Sequence, residues 1–425
     1  HFVKRGSSLD QEAMQRGNSV YLVDRAIPML PRRLTSEICS LQPQVDRLAH
    51  TVNVLLDEDG NVRGSETFLS VIRSSARLNY DQVQRLFDRK PDHDIPPPVQ
   101  DVLADMRRLA ARLRGLRMTG GSIDLTMPEL KCVLDDRGKA VQIYKRGAAE
   151  AYHLIEEFML VANCVVARRL HKARVPAVYR VHEPPDDAQW MKMQSDLRAL
   201  GFRVSLRSKD SMNRIARETA ATPREYIVHL AILRNLKRAV YSSKLIEHFG
   251  LSFPCYTHFT SPIRRYADLV VHRILRSVET GQTPPYDTQD VRRIADHTSE
   301  TERNADQAEQ ESIDIKRIEY YAGKLACQDR GPFRGTVVSM IPRGLIVELN
   351  DTLQQGLLPF FTLPDDVYVL SKEGNSAVGR RRRKTWTLGD PVSVYLARVD
   401  TTRRLVDFFI PADEPSRTAS GRKRK

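Results

Sequence analysis

The chain has 425 residues, 41% hydrophobic and 28% charged, the composition of an ordinary globular protein with room for two or three domains. No run approaches the roughly 20 continuous apolar residues of a membrane-spanning helix, so an integral helical membrane protein is excluded and no membrane partner is expected. Lys and Arg outnumber Asp and Glu by 67 to 53, a formal charge of +14, which favours a polyanionic partner such as nucleic acid.

The five cysteines (Cys39, Cys132, Cys164, Cys255 and Cys327) are scattered, with no CxxC pair and no zinc spacing. A reducing cytoplasm is the simplest compartment for them.

Residues 1–85 mix short strands and turns. Val52–Leu56, the turn Asp57–Asn61 and the returning run Thr67–Ile72 read as an antiparallel hairpin. A loop from Pro91 to Pro98 leads into a basic amphipathic helix over Val99–Arg117, which Gly120-Gly121 ends. Short strands are predicted at Ile123–Leu125, Lys131–Leu134 and Val141–Tyr144. The clearest helical period follows, over Ala149–Leu170, where Leu154, Ile155, Phe158, Met159, Ala162, Val165 and Val166 form a core-facing stripe. Glu156 and Asn163 share a neighbouring face. Further helices are predicted near 186–200, 208–219 and 224–239.

The run His258–Arg273 reads as a loop turning into a helix. Ser261 suits an N-cap and Pro262 the first helical position, which starts the helix there and carries it to about 279. Arg264 and Arg265 then fall in the first turn, where the helix dipole disfavours cations by about 0.3–1 kcal/mol each. Free amides and two guanidinium groups at one helix start make an anion site that a phosphate would satisfy. The competing reading is a solvated Arg264–Asp268 pair at i,i+4 spacing. From Asp287 to about Ala326 the pattern is one long charged helix or two broken ones.

After Gly331 the composition changes. Strand-like runs at 333–340, 343–349, 355–361, 390–399 and 403–410 suit an OB-type barrel of five strands. The basic run Arg380–Lys384 lies in a long barrel loop and can grip phosphates or stay solvated. Residues 413–425 read as a basic, disordered tail.

Several segments together resemble the ribonuclease II/R (RNB) family of exoribonucleases. They are Ser19-Val20-Tyr21 with Ile27–Pro31, Ala76–Tyr80, Leu154–Asn163, Arg180–Pro185, His248–Leu251 and the run around Arg264. The resemblance implies an α+β fold, with an RNB catalytic domain over 1–328, incomplete at its N-terminus, and an S1 barrel over 329–412. The S1 likeness rests on the Gly335, Gly344, Gly356 and Gly389 segments. One departure is Ile346, where such domains often carry an aromatic; Phe333, Phe360, Phe361 or Tyr368 are the other candidate stacking platforms.

The implied activity is processive 3′→5′ degradation of single-stranded RNA to 5′-mononucleotides by a monomeric, metal-dependent hydrolase. By resemblance, Arg264 binds the scissile phosphate and is the catalytic residue of this chain, with Arg265 adding an RNA contact. Tyr80 stacks on the terminal bases, Tyr21 on bases further up the channel. Glu156 and Glu309 contact the substrate, Glu156 at the ribose. The Mg²⁺ ligands of the family are aspartates expected upstream of residue 1, which leaves no metal ligand in this chain and predicts that it is inactive alone. The alternative is a non-catalytic RNB/S1 protein that only binds RNA.

Overall fold

The computed structural model describes residues 2–411 except 91–94, 126, 148, 203, 204, 206, 207, 221, 223, 372, 373 and 375. The expected basic tail at 413–425 and the start of the expected loop at 91–98 lie outside the described residues. The chain divides by internal contacts into two compact units. One comprises His1–Asp124, Ala148–Pro185 and Leu236–Glu309; the other comprises Leu125–Gly147, Asp186–Asn235 and Gln310–Lys425. The units interleave along the sequence, whereas the composition changes only after Gly331 and the family resemblance implies a boundary at 328/329.

In the first unit, alternating strand residues build a long hairpin, Asp46–Leu56 against Val62–Arg73, with Val52 opposite Thr67. Asp57 closes its turn by accepting from the amides of Asp59 (3.0 Å) and Asn61 (2.8 Å). The helix Glu150–Lys172 buries Val166, Ala167 and Leu170 against Val178, Val270, Val271, Ile274 and Leu275, the last four from the helix Tyr266–Thr280. That cluster is the main core of the unit. Of the stripe read from the sequence, Val166 joins this cluster, Leu154 and Phe158 pack in a second one with Val83 and Phe87, and Ile155 is exposed.

In the second unit, the strands Glu129–Leu134 and Ala140–Arg146 pair antiparallel. Ile123–Leu125, expected as a strand, is irregular. Lys316 Nζ donates to the Gly138 carbonyl at 2.6 Å, which explains why this early hairpin belongs with the C-terminal part of the chain. Helices occupy Asp187–Ala199, Lys209–Thr219 and Glu225–Leu233. The last stops well short of residue 239, because Asn235 turns its amide back onto Ala231 O (2.8 Å) and Asp196 Oδ2 (2.9 Å). The charged stretch after Asp287 is one continuous 39-residue helix, Thr288–Ala326, shared between the units.

The five C-terminal strands close into a barrel in the order Gly344–Leu349, Gln355–Pro359, Leu405–Phe409, Pro391–Asp400, Phe333–Ile341. All pairs are antiparallel except Gln355–Pro359 with Leu405–Phe409. Inward residues Val337, Leu345, Val347, Leu358, Val394, Leu396 and Phe408 are buried. Gly356 permits this closure: a Cβ there would lie 2.4 Å from the Phe408 ring and 2.7 Å from Val406 O. Between the third and fourth barrel strands in sequence, a small sheet forms from Tyr368–Leu370, Ser376–Gly379 and Thr385–Thr387. The arginine run sits in its last turn, held by Asp366, which accepts from the amides of Arg381 (3.0 Å) and Arg382 (2.6 Å).

Within the first unit, a buried ion pair ties the helix Pro97–Thr119 to the helix Glu150–Lys172. Arg117 Nε donates to both oxygens of Glu157 (3.1 and 3.2 Å), Nη2 donates to Oε1, and Nη1 reaches Ser122 Oγ at 3.1 Å. Glu157→Ala leaves that buried guanidinium with only the exposed Glu156 carboxylate, 3.5 Å away, and breaking such a buried pair costs about 3–5 kcal/mol. Denaturant unfolding is expected to show this loss; a cost under about 1 kcal/mol would mean that the pair anchors nothing.

Candidate nucleic-acid interface

The signature run departs from its sequence expectation at the point that matters most. The helix begins at Tyr266, and residue 265 is extended, with φ −133° and ψ 123°. Residues 261–265 form a turn in which Ser261 O accepts from the amides of Arg264 (3.2 Å) and Arg265 (3.0 Å). The cause is long-range pairing that a Ser-Pro cap signal does not report. Arg264 O accepts from Ser19 N (3.0 Å), Tyr266 N donates to Gly17 O (2.8 Å), and Asn18 forms a β-bridge with Arg265. These bonds hold the arginine pair outside the helix.

Asp268 then separates the two arginines. Its buried carboxylate accepts from Ser261 N at 2.8 Å and from Arg265 Nε and Nη2 at 2.8 and 2.7 Å. The ion pair foreseen as a competing reading exists, but with Arg265 rather than Arg264. Arg265 is therefore a brace, and its expected RNA contact is not what its guanidinium is committed to. Arg264 is exposed, and its guanidinium has no hydrogen bond or ion pair among the described residues. One guanidinium is tied down and the other is presented.

The helix Glu150–Lys172 organises the rest of the expected site. Asn163, buried in it, accepts on Oδ1 from the amides of Phe259 (3.0 Å) and Thr260 (3.3 Å) and donates to Tyr256 Oη (3.1 Å). Burial pushes the His272 imidazole down to about 3. Its neutral Nε2 donates to Phe259 O at 2.8 Å, and the two rings stack at 4.1 Å. At the other end of the helix, Tyr152 stacks on Tyr80 with centroids 3.9 Å apart and planes 19° from parallel. Tyr80 opens the helix Tyr80–Phe87, capped by reciprocal bonds between Asn79 and Gln82, and stays 39% exposed. Gln84 of that helix accepts from Ala151 N at 3.1 Å, which brings the two tyrosines together.

Glu156, one turn after Tyr152, is exposed; its carboxylate meets His153 Nδ1 at 3.0 Å and Arg117 Nη2 at 3.5 Å. Residues 152, 156 and 163 share a helix face, with a rise of about 16 Å from first to last. Tyr21 and Glu309 also meet. Glu309 Oε1 accepts from the Tyr21 amide at 2.7 Å, leaving the ring half exposed. The strand that carries Tyr21 follows Ser19, which is bonded to Arg264 O. Sequence reasoning missed Tyr152, the burial of Asp268 and its pairing with Arg265, and the bracing role of Asn163. For Asn163 the available signal was its place on the Glu156 face.

In the barrel, Ile346 is half buried. Of the four alternative platforms, Tyr368 is buried and Phe333 and Phe360 pack against the barrel core, whereas Phe361 is 89% exposed. Among the described residues, no group of three or more His, Cys, Asp or Glu side chains could hold a metal ion. No helix of the described chain is long and apolar enough to cross a membrane.

The chain thus combines an α+β unit, bearing exposed tyrosines and a free arginine beside a braced one, with a five-stranded barrel. The RNB domain family matches residues 1–281, and the chain belongs to that family. It is 38% identical over 425 residues to ribonuclease R of Thermotoga maritima and 37% identical over 414 residues to that of Aquifex aeolicus. These alignments cover 97% and 96% of the chain but only 59% and 58% of the relatives' lengths. A solved Mycoplasma genitalium RNase R in complex with ribose-methylated single-stranded RNA superposes with a TM-score of 0.88 at 27% identity, over 97% of this chain and 65% of that one.

The different states of the two arginines are separable by stability. Arg265→Ala strands the buried Asp268 carboxylate and is expected to cost about 3–5 kcal/mol. Arg264→Ala removes an exposed, unbonded side chain and is expected to stay within about 0.5 kcal/mol of the parent. Equal losses in denaturant unfolding would show that the two share one structural role.

Proposed function

We propose that this chain holds and positions single-stranded RNA in a processive 3′→5′ exoribonuclease that releases 5′-mononucleotides. The observation that carries the reading is Arg264: an exposed guanidinium, unpaired among the described residues, on a turn braced by Asp268 and Asn163. Likeness to a ribonuclease R solved with single-stranded RNA supports the choice of substrate, and the formal charge of +14 suits it.

In this reading, terminal bases stack on the Tyr80–Tyr152 pair, which accepts any base because each has a π-face. Glu156 accepts hydrogen bonds from ribose hydroxyls, a contact that DNA lacks in part. Tyr21 supports the strand further from the end. The planar fork of Arg264 binds two phosphate oxygens and stabilises the charge that develops on them. Family members of this kind use Mg²⁺, but the described residues do not fit a Mg²⁺ site, so the residues of this chain bind and position the strand. Arg265 and Glu309 act through Asp268 and the Tyr21 amide. The protein works as a monomer in a reducing cytoplasm.

The 425-residue chain is expected to bind single-stranded RNA with salt-dependent affinity and to show no Mg²⁺-dependent hydrolysis; release of mononucleotides by the purified chain would overturn the second expectation. In the full-length protein, Arg264→Lys keeps the charge and loses the fork. Single-turnover cleavage is expected to fall on the order of 10²-fold, with little change in affinity. Unchanged cleavage would remove Arg264 from the site.

The barrel provides a separate check. Phe361→Ala in the 425-residue chain is expected to weaken RNA binding by about 1–3 kcal/mol, the worth of one stacked base, and to leave the unfolding transition in place. Unaltered affinity would show that the exposed ring serves something other than RNA.

A further inference from the structure

His258 enters the turn six positions before Arg264 and has no part in the roles assigned so far. Its Nδ1 lies 2.8 Å from Tyr241 Oη, and its ring meets Tyr241 and Tyr256 edge-on, at 5.5 and 5.7 Å between centroids. Tyr241 is buried, and the Arg180 guanidinium lies over its ring at 4.7 Å. Burial pushes the Tyr241 hydroxyl up, so it stays protonated.

A protonated phenol has one proton to give, and among the described residues its acceptor is His258 Nδ1. With the Tyr241 hydroxyl as donor, both buried atoms are satisfied, and the neutral imidazole that accepts on Nδ1 is assigned its proton on Nε2. Burial first, and then the positive neighbours Arg265, Arg180, His248 and Arg264, hold this imidazole well below its ordinary pKa. The ring is half buried, and Nε2 keeps solvent access with no hydrogen bond from a described residue. The result is an uncharged N–H donor with solvent access, near enough to Arg264 for that charge to bear on the imidazole.

We propose that His258 is a substrate-contacting residue whose Nε2–H donates to a non-bridging oxygen of an RNA phosphate adjacent to the one bound by Arg264. This rests on the RNA-binding reading above. Phosphate is the occupant the surroundings select, because Arg264 is a free cation beside the ion-paired Arg265–Asp268 and Arg180–Glu302 groups and the Nε2 atom is a donor. A neutral donor adds a contact without adding a further like charge to that cluster, which would repel its neighbours in the absence of RNA.

Two amide replacements separate contact from structure. In His258→Asn the side-chain amide overlays Nδ1, keeping the Tyr241 bond and losing the outward donor. In His258→Gln the amide reaches the Nε2 position and loses the Tyr241 bond instead. Affinity of the 425-residue chain and both variants would be measured for a short single-stranded RNA and for copies with one methylphosphonate linkage placed at each position in turn.

A hydrogen bond to a charged phosphate is worth roughly tenfold or more in affinity. His258→Asn is expected to bind about tenfold more weakly and to lose the penalty of one particular methylphosphonate linkage. His258→Gln is expected to retain most of both. The opposite order, with Asn like the parent and Gln weakened equally on every RNA, would overturn the contact and leave His258 as a support for Tyr241. If the parent chain does not bind RNA at all, the RNA-binding reading itself fails. Binding by the parent with no linkage coupled to residue 258 refutes the His258 assignment alone.

Discussion

The site depends on one carboxylate. Asp268 is buried at the start of the helix Tyr266–Thr280, where a negative charge suits the exposed amides of a helix N-terminus. It takes two bonds from Arg265 and one from Ser261 N, and so folds the turn 261–265 back over the helix end. Without it, Arg265 would stand as a second uncompensated cation beside Arg264. The carboxylate converts an arginine pair into a brace and a free guanidinium, a division that neighbouring residues of the same type could not make unaided.

The helix Glu150–Lys172 supplies the second constraint, which is spacing. Tyr152 meets Tyr80, Glu156 faces outward, and Asn163 holds the backbone of Phe259 and Thr260. Because one rigid helix carries all three, the stacking platform and the arginine turn are held a fixed distance apart. The buried Arg117–Glu157 pair fixes the rotation of this helix, since Glu157 can face Arg117 only when Glu156 faces away from the core. Packing therefore sets which carboxylate is available outside.

Period and turn chemistry made the local elements legible in the sequence. The five barrel strands and the helices over 150–172 and 187–199 follow from alternation, apolar stripes and glycine turns. Less legible were features that depend on distant partners. The Ser261-Pro262 cap signal is sound locally, yet Gly17, Asn18 and Ser19 claim the backbone of 264–266 from the far end of the chain. Arg264 and Arg265 look equivalent in the sequence because nothing there says which will meet Asp268. The interleaving of the two units is hidden for the same reason: Lys316 reaching Gly138 leaves no trace in composition.

The charges that remain free explain how such a site could hold a strand yet let it move. Arg265 is neutralised by Asp268, and Glu309 is occupied by the Tyr21 amide. What the first unit leaves exposed is aromatic surface at Tyr21 and Tyr80, the partly engaged carboxylate of Glu156, and the guanidinium of Arg264. Stacking is indifferent to base identity, and in the proposed reading a bidentate phosphate grip by Arg264 would be remade at each successive phosphate with the same geometry. A cluster of free arginines would bind more tightly but would hold several phosphates at once, so every step would have to break all of those contacts together. In the proposed reading, committing one arginine of the pair to Asp268 would keep the anion site specific while lowering the barrier to the next step.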